Sequence, residues 1–381
     1  MNRSNIKCVI TLGAVTCITC SIYARKPSKK NKNQPVSFEV SYVADNVNNI
    51  TGGIKTGSCY LGLANMMLEF DTEKARLWNG GRFYINAANT HGNEPSKYFI
   101  GDVQIVSNIE AGKHIYLQEI WFKQHLGETE ITAGLQDLNV EFAKSEYGEL
   151  YLNSSFGVLP VISNNFNASI FPLTTLGITS KWNINKDTKW VNALYDGSPT
   201  NFDYNPYNLK WQFNSGDGLL LISELQKTKT IKNLPGIYKL GIYTHFHIRQ
   251  NIPGSLINRL IGIYTYADQT FWEQNKKSAG LFVQLGYSPS AGSTNNVYIG
   301  SGVNFTGLFS KKANDVLGLA CAHVIFTRNG HSETAIELTY LYQISGHFFI
   351  QPDFQYIVHP SGTGEPLPNA LAANFRFGLN F

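Results

Sequence analysis

Residues 371–381 alternate without a break. Leu371, Ala373, Phe375, Phe377, Leu379 and Phe381 fall on one side, and Ala372, Asn374, Arg376, Gly378 and Asn380 on the other. A period of two is the signature of a β-strand whose two faces meet different surroundings. A soluble sandwich would turn the apolar face to its core. A membrane barrel turns it to lipid and lines a wet lumen with the polar face. One strand fits either case.

The same pattern recurs upstream, and its polar faces narrow the choice. In 236–249, Tyr238, Leu240 and Ile242 oppose Lys239, His245, His247 and Arg249. In 333–341, Ile336, Leu338 and Tyr340 oppose Glu333, Glu337 and Thr339. In 348–358, Ile350, Phe354, Tyr356 and Val358 oppose Gln351, Asp353 and Gln355. These faces mix charges of both signs with amides, which a water-filled channel tolerates and a packed core does not. Aromatics are 13% of the chain, charged residues only 15%, and there are 34 glycines. That balance suits many strands with one apolar side, separated by turns.

The first 24 residues read as a cleaved export signal. Arg3 and Lys7 form its positive start, Cys8–Tyr23 its mostly apolar stretch, and Ala24 a small residue at the cut. No later stretch has the 18 apolar residues of a membrane helix. Cys8, Cys17 and Cys20 leave with the signal, so the mature chain keeps Cys59 and Cys321. One long-range disulfide and two separate thiols both remain open. Removing Arg3 and Lys7 lowers the net charge of +4 to about +2. Residues 25–36 then form a basic, disordered tail, and 37–381 the barrel. A tilted membrane strand takes roughly 9–11 residues, and with turns and loops about 20–22, so this length gives about 16 strands, with about 14 or 18 open if the loops differ in length. The fold expected is all-β: a transmembrane antiparallel β-barrel.

Longer motifs add a family likeness. Asp315–Ala320, Glu337–Tyr340, Gln351–Tyr356, His359–Gly362, Asn369–Leu371 and the terminal Phe381 resemble, in order, the C-terminal third of the OprB family of carbohydrate-selective porins. Gly52–Gly57, Tyr60–Leu63, Trp78–Gly81, Gly101–Asn108, Leu117–Trp121, Ala133-Gly134, Glu141-Phe142, Tyr151–Gly157 and Gly216–Leu220 extend the likeness towards the N-terminus. The family usually has Asn where His359 precedes Pro360. The resemblance implies a 16-stranded barrel, narrowed by inward-folded loops, that conducts glucose-like sugars without energy input from the outside into the periplasm.

A sugar-selective constriction needs aromatic faces for the ring and charged or amide groups for the hydroxyls, since each dehydrated hydroxyl must find a partner. The lumen candidates by alternation are Arg82, Glu119, Trp121, Lys123, Lys239, Arg249, Glu337 and Arg376. The plainer reading of each is a wall residue in an ion-pair network away from the constriction. Asp137, Asn139 and Glu141 fit an inward loop. His245 and His247 share a strand face but lack a third zinc ligand nearby. Ser154 and Ser155 lack the G-x-S-x-G elbow of hydrolases.

The function expected is therefore a channel and not an enzyme, with no cofactor and no metal. Its partners are small carbohydrates, outer-membrane lipids and lipopolysaccharide, and the assembly machinery that reads Phe381. No nucleic acid is expected, and both a monomer and a homotrimer stay open. The rivals are a general-diffusion porin of the same fold and an outer-membrane barrel lipid hydrolase.

Overall fold

The computed structural model describes residues 34–213, 216–248, 257–290, 292–310, 313–327 and 330–381. The expected export signal and all but the last three residues of the expected tail lie outside these. So does Arg249. Sixteen strands follow one another in the described residues, each pairing antiparallel with its sequence neighbours, and the last closes on the first. They are β1 Val36–Thr51, β2 Gly57–Asp71, β3 Gly81–Gly92, β4 His114–Leu126, β5 Thr129–Gln136, β6 Thr175–Asn185, β7 Thr188–Asp196 and β8 Leu219–Ile231. Then come β9 Leu234–Ile248, β10 Ile257–Gln274, β11 Lys277–Tyr287, β12 Asn295–Thr306, β13 Asp315–Phe326, β14 Ser332–Gln343, β15 Phe348–Val358 and β16 Ala370–Asn380. β1 opens at Val36, the last residue of the stretch expected as tail.

Alternation decides which way each side chain points. Leu219, Leu221, Leu240, Ile242, Ile336, Leu338 and Phe354 are exposed on the outside. Their neighbours Glu224, Lys239, Glu337, Asp353 and Gln355 are buried inside. The closing register pairs Asp45 with Arg376 on the inner face and Ala44 with Phe377 on the outer. Closure leaves no free sheet edge, and the apolar outer belt meets lipid. Cys59 is buried on β2 and Cys321 is exposed on β13; both thiols are free.

The two rims differ. At one, β8 and β9 are joined by Lys232–Asn233, and β10 and β11 by Asn275–Lys276. All four of these residues have positive φ, between 50° and 70°. That is the type I′ turn, whose twist matches the flanking strands. The other rim carries the long connections 93–113, 137–174, 197–218 and 359–369. Short turns mark the periplasmic rim of such barrels and long loops the outer one.

β5 has only 8 residues, after which the chain leaves the wall and enters the lumen. The outer part of β4 thereby loses its β5 partner. Loop 197–218 fills the gap. The Leu117 N–H donates to the Tyr207 carbonyl at 3.0 Å, and the Asn208 Nδ2 donates to the carbonyls of Leu117 at 3.1 Å and Thr174 at 3.4 Å. The Phe202 ring stacks on His114 at 3.8 Å. Asn208 sits at φ 50°, a region asparagine tolerates better than alanine. Asn208→Ala should therefore weaken this seal by about 1–2 kcal/mol. It would be read as faster amide exchange at Leu117 and earlier proteolysis within 197–218.

Candidate functional site: a lumen built from two inward loops

Buried wall carboxylates cannot stay unpartnered, and here the loops satisfy them through backbone N–H groups. In loop 137–174, Ala143 N–H donates to Glu224 at 2.9 Å. Glu146 and Tyr147 N–H donate to Asp268, each at 3.1 Å. Leu152 and Asn153 N–H donate to Glu337 at 2.6 and 3.0 Å. Loop carbonyls are met in turn by wall donors: Lys239 Nζ to Lys144 O at 2.6 Å, Gln351 Nε2 to Leu150 O at 2.7 Å, and Gln284 Nε2 to Phe156 O at 2.7 Å. The underside of the loop is apolar. Phe142, Leu150, Phe156, Val161 and Ile162 are buried against Phe282, Tyr298, Val316 and Ala322. Glycines let it approach, since a Cβ on Gly318 would lie 2.6 Å from Leu150 Cδ2 and one on Gly286 2.5 Å from Val161 Cγ2.

Loop 93–113 is seated on the same plan. Glu333 accepts from the N–H groups of Val103 and Gln104, both at 2.9 Å, and also from Ser361 N–H at 2.9 Å. Asp45 accepts from Ser107 Oγ at 2.7 Å and from Arg376 at 2.7 and 2.8 Å. The Arg376 Nη2 also donates to Asn108 Oδ1 at 2.8 Å. Burial pushes Glu110 of this loop up to about 8, with the charge of Asp102 beside it as the next cause. Asp102 itself is pushed up to about 6 by burial. Glu333 on β14 and Cys59 on β2 are the titratable groups facing this pair from the wall.

Both loop carboxyls thus bind protons more tightly in the folded loop than in an unfolded chain, where carboxylates titrate at about 4. Their contribution to stability is complete below that range and is lost as pH rises through about 6 and then about 8. Amide exchange across 103–107, corrected for intrinsic rates, should accelerate between pH 6 and 9. Glu110→Gln should remove the upper step.

Together the loops are seated on the wall from β8 through β16 to β1. Towards the outer rim lies a cavity of about 360 Å3 lined by Gln104, Asn108 and Glu110 of one loop and by Asp137, Asn139 and Asn164 of the other. Burial raises Asp137 to about 6, against the lowering pull of the N–H groups of Asn139 and Phe171. Two residues beyond Asn139, Glu141 joins a charged group near the periplasmic end. Its carboxylate lies 3.7 Å from Lys123 and 2.7 Å from Lys181, and Glu130 lies 2.8 and 3.3 Å from the same two lysines. Trp121 stacks on Tyr84 at 4.8 Å, with Lys123 Nζ 5.2 Å from the indole centre. Glu119 accepts from Trp121 Nε1 at 3.3 Å and from Asp137 N–H at 3.4 Å. The stretch 137–141 therefore divides the outer cavity from the charged group below.

The family model for the carbohydrate-selective porins of the OprB family matches residues 55–381. The chain belongs to that family. It is 23% identical over 406 residues to Porin B of Pseudomonas aeruginosa, covering 90% of this chain and 87% of that one. Among solved structures it is similar to the high-pH structure of Pseudomonas putida OprB, with a TM-score of 0.80 at 17% identity over 91% of this chain and 94% of that one. The low-pH structure of the same protein gives 0.62 at 16% identity, over 91% and 93%. The barrel is thus that of an outer-membrane OprB porin, with 16 strands as its length predicts.

Within this OprB porin the candidates from alternation separate into groups. Glu119, Trp121 and Lys123 come together on the inner face of β4. Arg82 also points inward but lies near the periplasmic rim, 3.9 Å from both Glu69 and Asp71. Lys239, Glu337 and Arg376 are inward too, yet each is occupied in seating a loop. His245 faces inward, stacked on Phe166 and bonded to the Gly197 carbonyl. Glu130 and Lys181 were missed, although Glu130 and Thr132 alternate against Ile131 and Ala133 in the sequence. The cavity residues Gln104, Asn108 and Glu110 carry no periodic signal, because loops have none.

Proposed function

We propose that small neutral carbohydrates diffuse through the lumen of this OprB porin. In this reading Trp121, backed by Tyr84 and positioned by Glu119, offers a ring face, while Lys123 and Arg82 offer partners for hydroxyls. The observation that carries it is the charged group of Lys123, Lys181, Glu130 and Glu141. Lys123 and Lys181 each lie within 3.7 Å of both Glu130 and Glu141, and Lys189 faces the same group from β7. Such a group presents many hydrogen-bonding partners to the hydroxyls of a passing solute. A general-diffusion porin sorting by size and charge needs no aromatic stack in the path. The relatives named are channels, which sets them apart from a barrel hydrolase.

Liposomes carrying the refolded mature protein test the reading. Swelling should be faster in glucose than in an amino acid of equal size, and Trp121→Ala should narrow that difference. Rates ordered by size alone would leave a porin without sugar preference.

A further inference from the structure

The outer cavity has a one-sided chemistry. None of its lining residues is Lys, Arg or His, whereas Glu110 and Asp137 both line it. Four of its six amides donate to backbone carbonyls. Asn139 Nδ2 donates to the carbonyls of Phe142 and Ala143 at 3.2 and 3.1 Å, and Asn164 Nδ2 to that of Val103 at 3.4 Å. Asn108 Nδ2 donates to the Tyr151 carbonyl at 3.3 Å, and Gln104 Nε2 to that of Glu333 at 3.4 Å. The oxygens of Asn108 and Asn164 already accept from Arg376 and Ser163, so the acceptors kept for a visitor are those of Gln104, Asn139 and the Asp137 carboxylate. Gln104 is 1% exposed, and its Oε1 is a buried acceptor without a hydrogen-bond partner. An unpartnered buried acceptor costs free energy that a ligand donor recovers. The volume, about 360 Å3, falls within the range of about 300–1,000 Å3 typical of small-molecule sites. Phe171 and Ile170 supply an apolar side.

We propose that this cavity is an acceptor-rich capture site that admits neutral sugars and sugars bearing an ammonium group and rejects sugar acids. A hydroxyl or ammonium brings donors to Gln104 Oε1 and the Asp137 carboxylate. A sugar carboxylate brings only further acceptors and a like charge, with no cation in the lining to receive it. The inference rests on the carbohydrate-porin reading and adds the class of sugar that the mouth selects. The charged group below, at Lys123 and Glu141, takes no part in this lining.

The test uses proteoliposomes of the full mature chain at pH 7.5 and the uptake of tracer-labelled glucose, glucosamine and glucuronate, which differ little in size. Glucosamine should enter faster than glucuronate by about tenfold, the equivalent of about 1.4 kcal/mol. Asp137→Asn and Gln104→Met should each shrink that ratio, and two variants guard against one that fails to insert. Glucose entry no faster than in protein-free vesicles would overturn the porin reading itself. Glucose entry with glucuronate keeping pace with glucosamine would leave that reading intact and overturn the capture site. Discrimination unchanged in both variants would equally overturn its assignment to this cavity.

Discussion

Arg376→Ala should cost about 3–5 kcal/mol of barrel stability, the usual penalty for leaving a buried charge without its partner. The Arg376 and Asp45 side chains are 3% and 0% exposed, and their shortest contact is 2.7 Å. The guanidinium also reaches Asn108. Its loss therefore frees loop 93–113 at one seat while leaving the Asp45 carboxylate with only Ser107 and Asn374 as donors. Denaturant unfolding in lipid vesicles measures the loss. The double variant Asp45→Leu with Arg376→Met should recover most of it, because two apolar side chains leave no charge behind. If the double variant were as unstable as the single one, the penalty would lie in packing and not in the unpaired carboxylate.

Glu337→Ala should unseat the middle of loop 137–174 and widen the channel. Two backbone N–H groups, of Leu152 and Asn153, lose their acceptor in a place that water does not reach. At about 1–3 kcal/mol for each orphaned group, the seat loses about 2–6 kcal/mol. The apolar underside, with Phe156 and Val161 in place, keeps the loop inside the barrel. The expected result is a higher and noisier single-channel conductance, faster exchange at Leu152 and Asn153, and weaker preference for glucose over an amino acid of equal size. Glu337→Gln keeps one acceptor oxygen and should fall between. Unaltered conductance in Glu337→Ala would show that the apolar contacts alone hold the loop.

These two residues also show where sequence reading stops. Alternation along 333–341 and 371–381 places Glu337 and Arg376 on the inner face, and the structure puts them there. The strand number and the inward loops follow from length and from family likeness in the same way. What each residue does on that face depends on partners far along the chain. Glu337 meets Leu152 across 185 positions and Arg376 meets Asn108 across 268. No local period encodes such meetings. A seating residue and a solute-facing residue obey the same alternation, so Glu337 and Trp121 look alike until the loops are in place. Asp137, Asn139 and Glu141 could be assigned to an inward loop from their polarity. Their division of the path into an amide-lined cavity and a charged group could not.

The loops are held largely by their own main chain, through the N–H groups of Val103, Ala143, Tyr147, Leu152 and Asn153. A main-chain contact is indifferent to the side chain that carries it. Mounting and reading are thereby assigned to different atoms of the same loop, so changing what is read need not disturb how it is mounted. A combinatorial library confined to Gln104 and Asn164 would vary the chemistry met by an entering solute while the main-chain seats on Glu224, Asp268, Glu333 and Glu337 stay where they are. Drift at these positions offers such a lineage a short route to new nutrients without the hazard of refolding its wall.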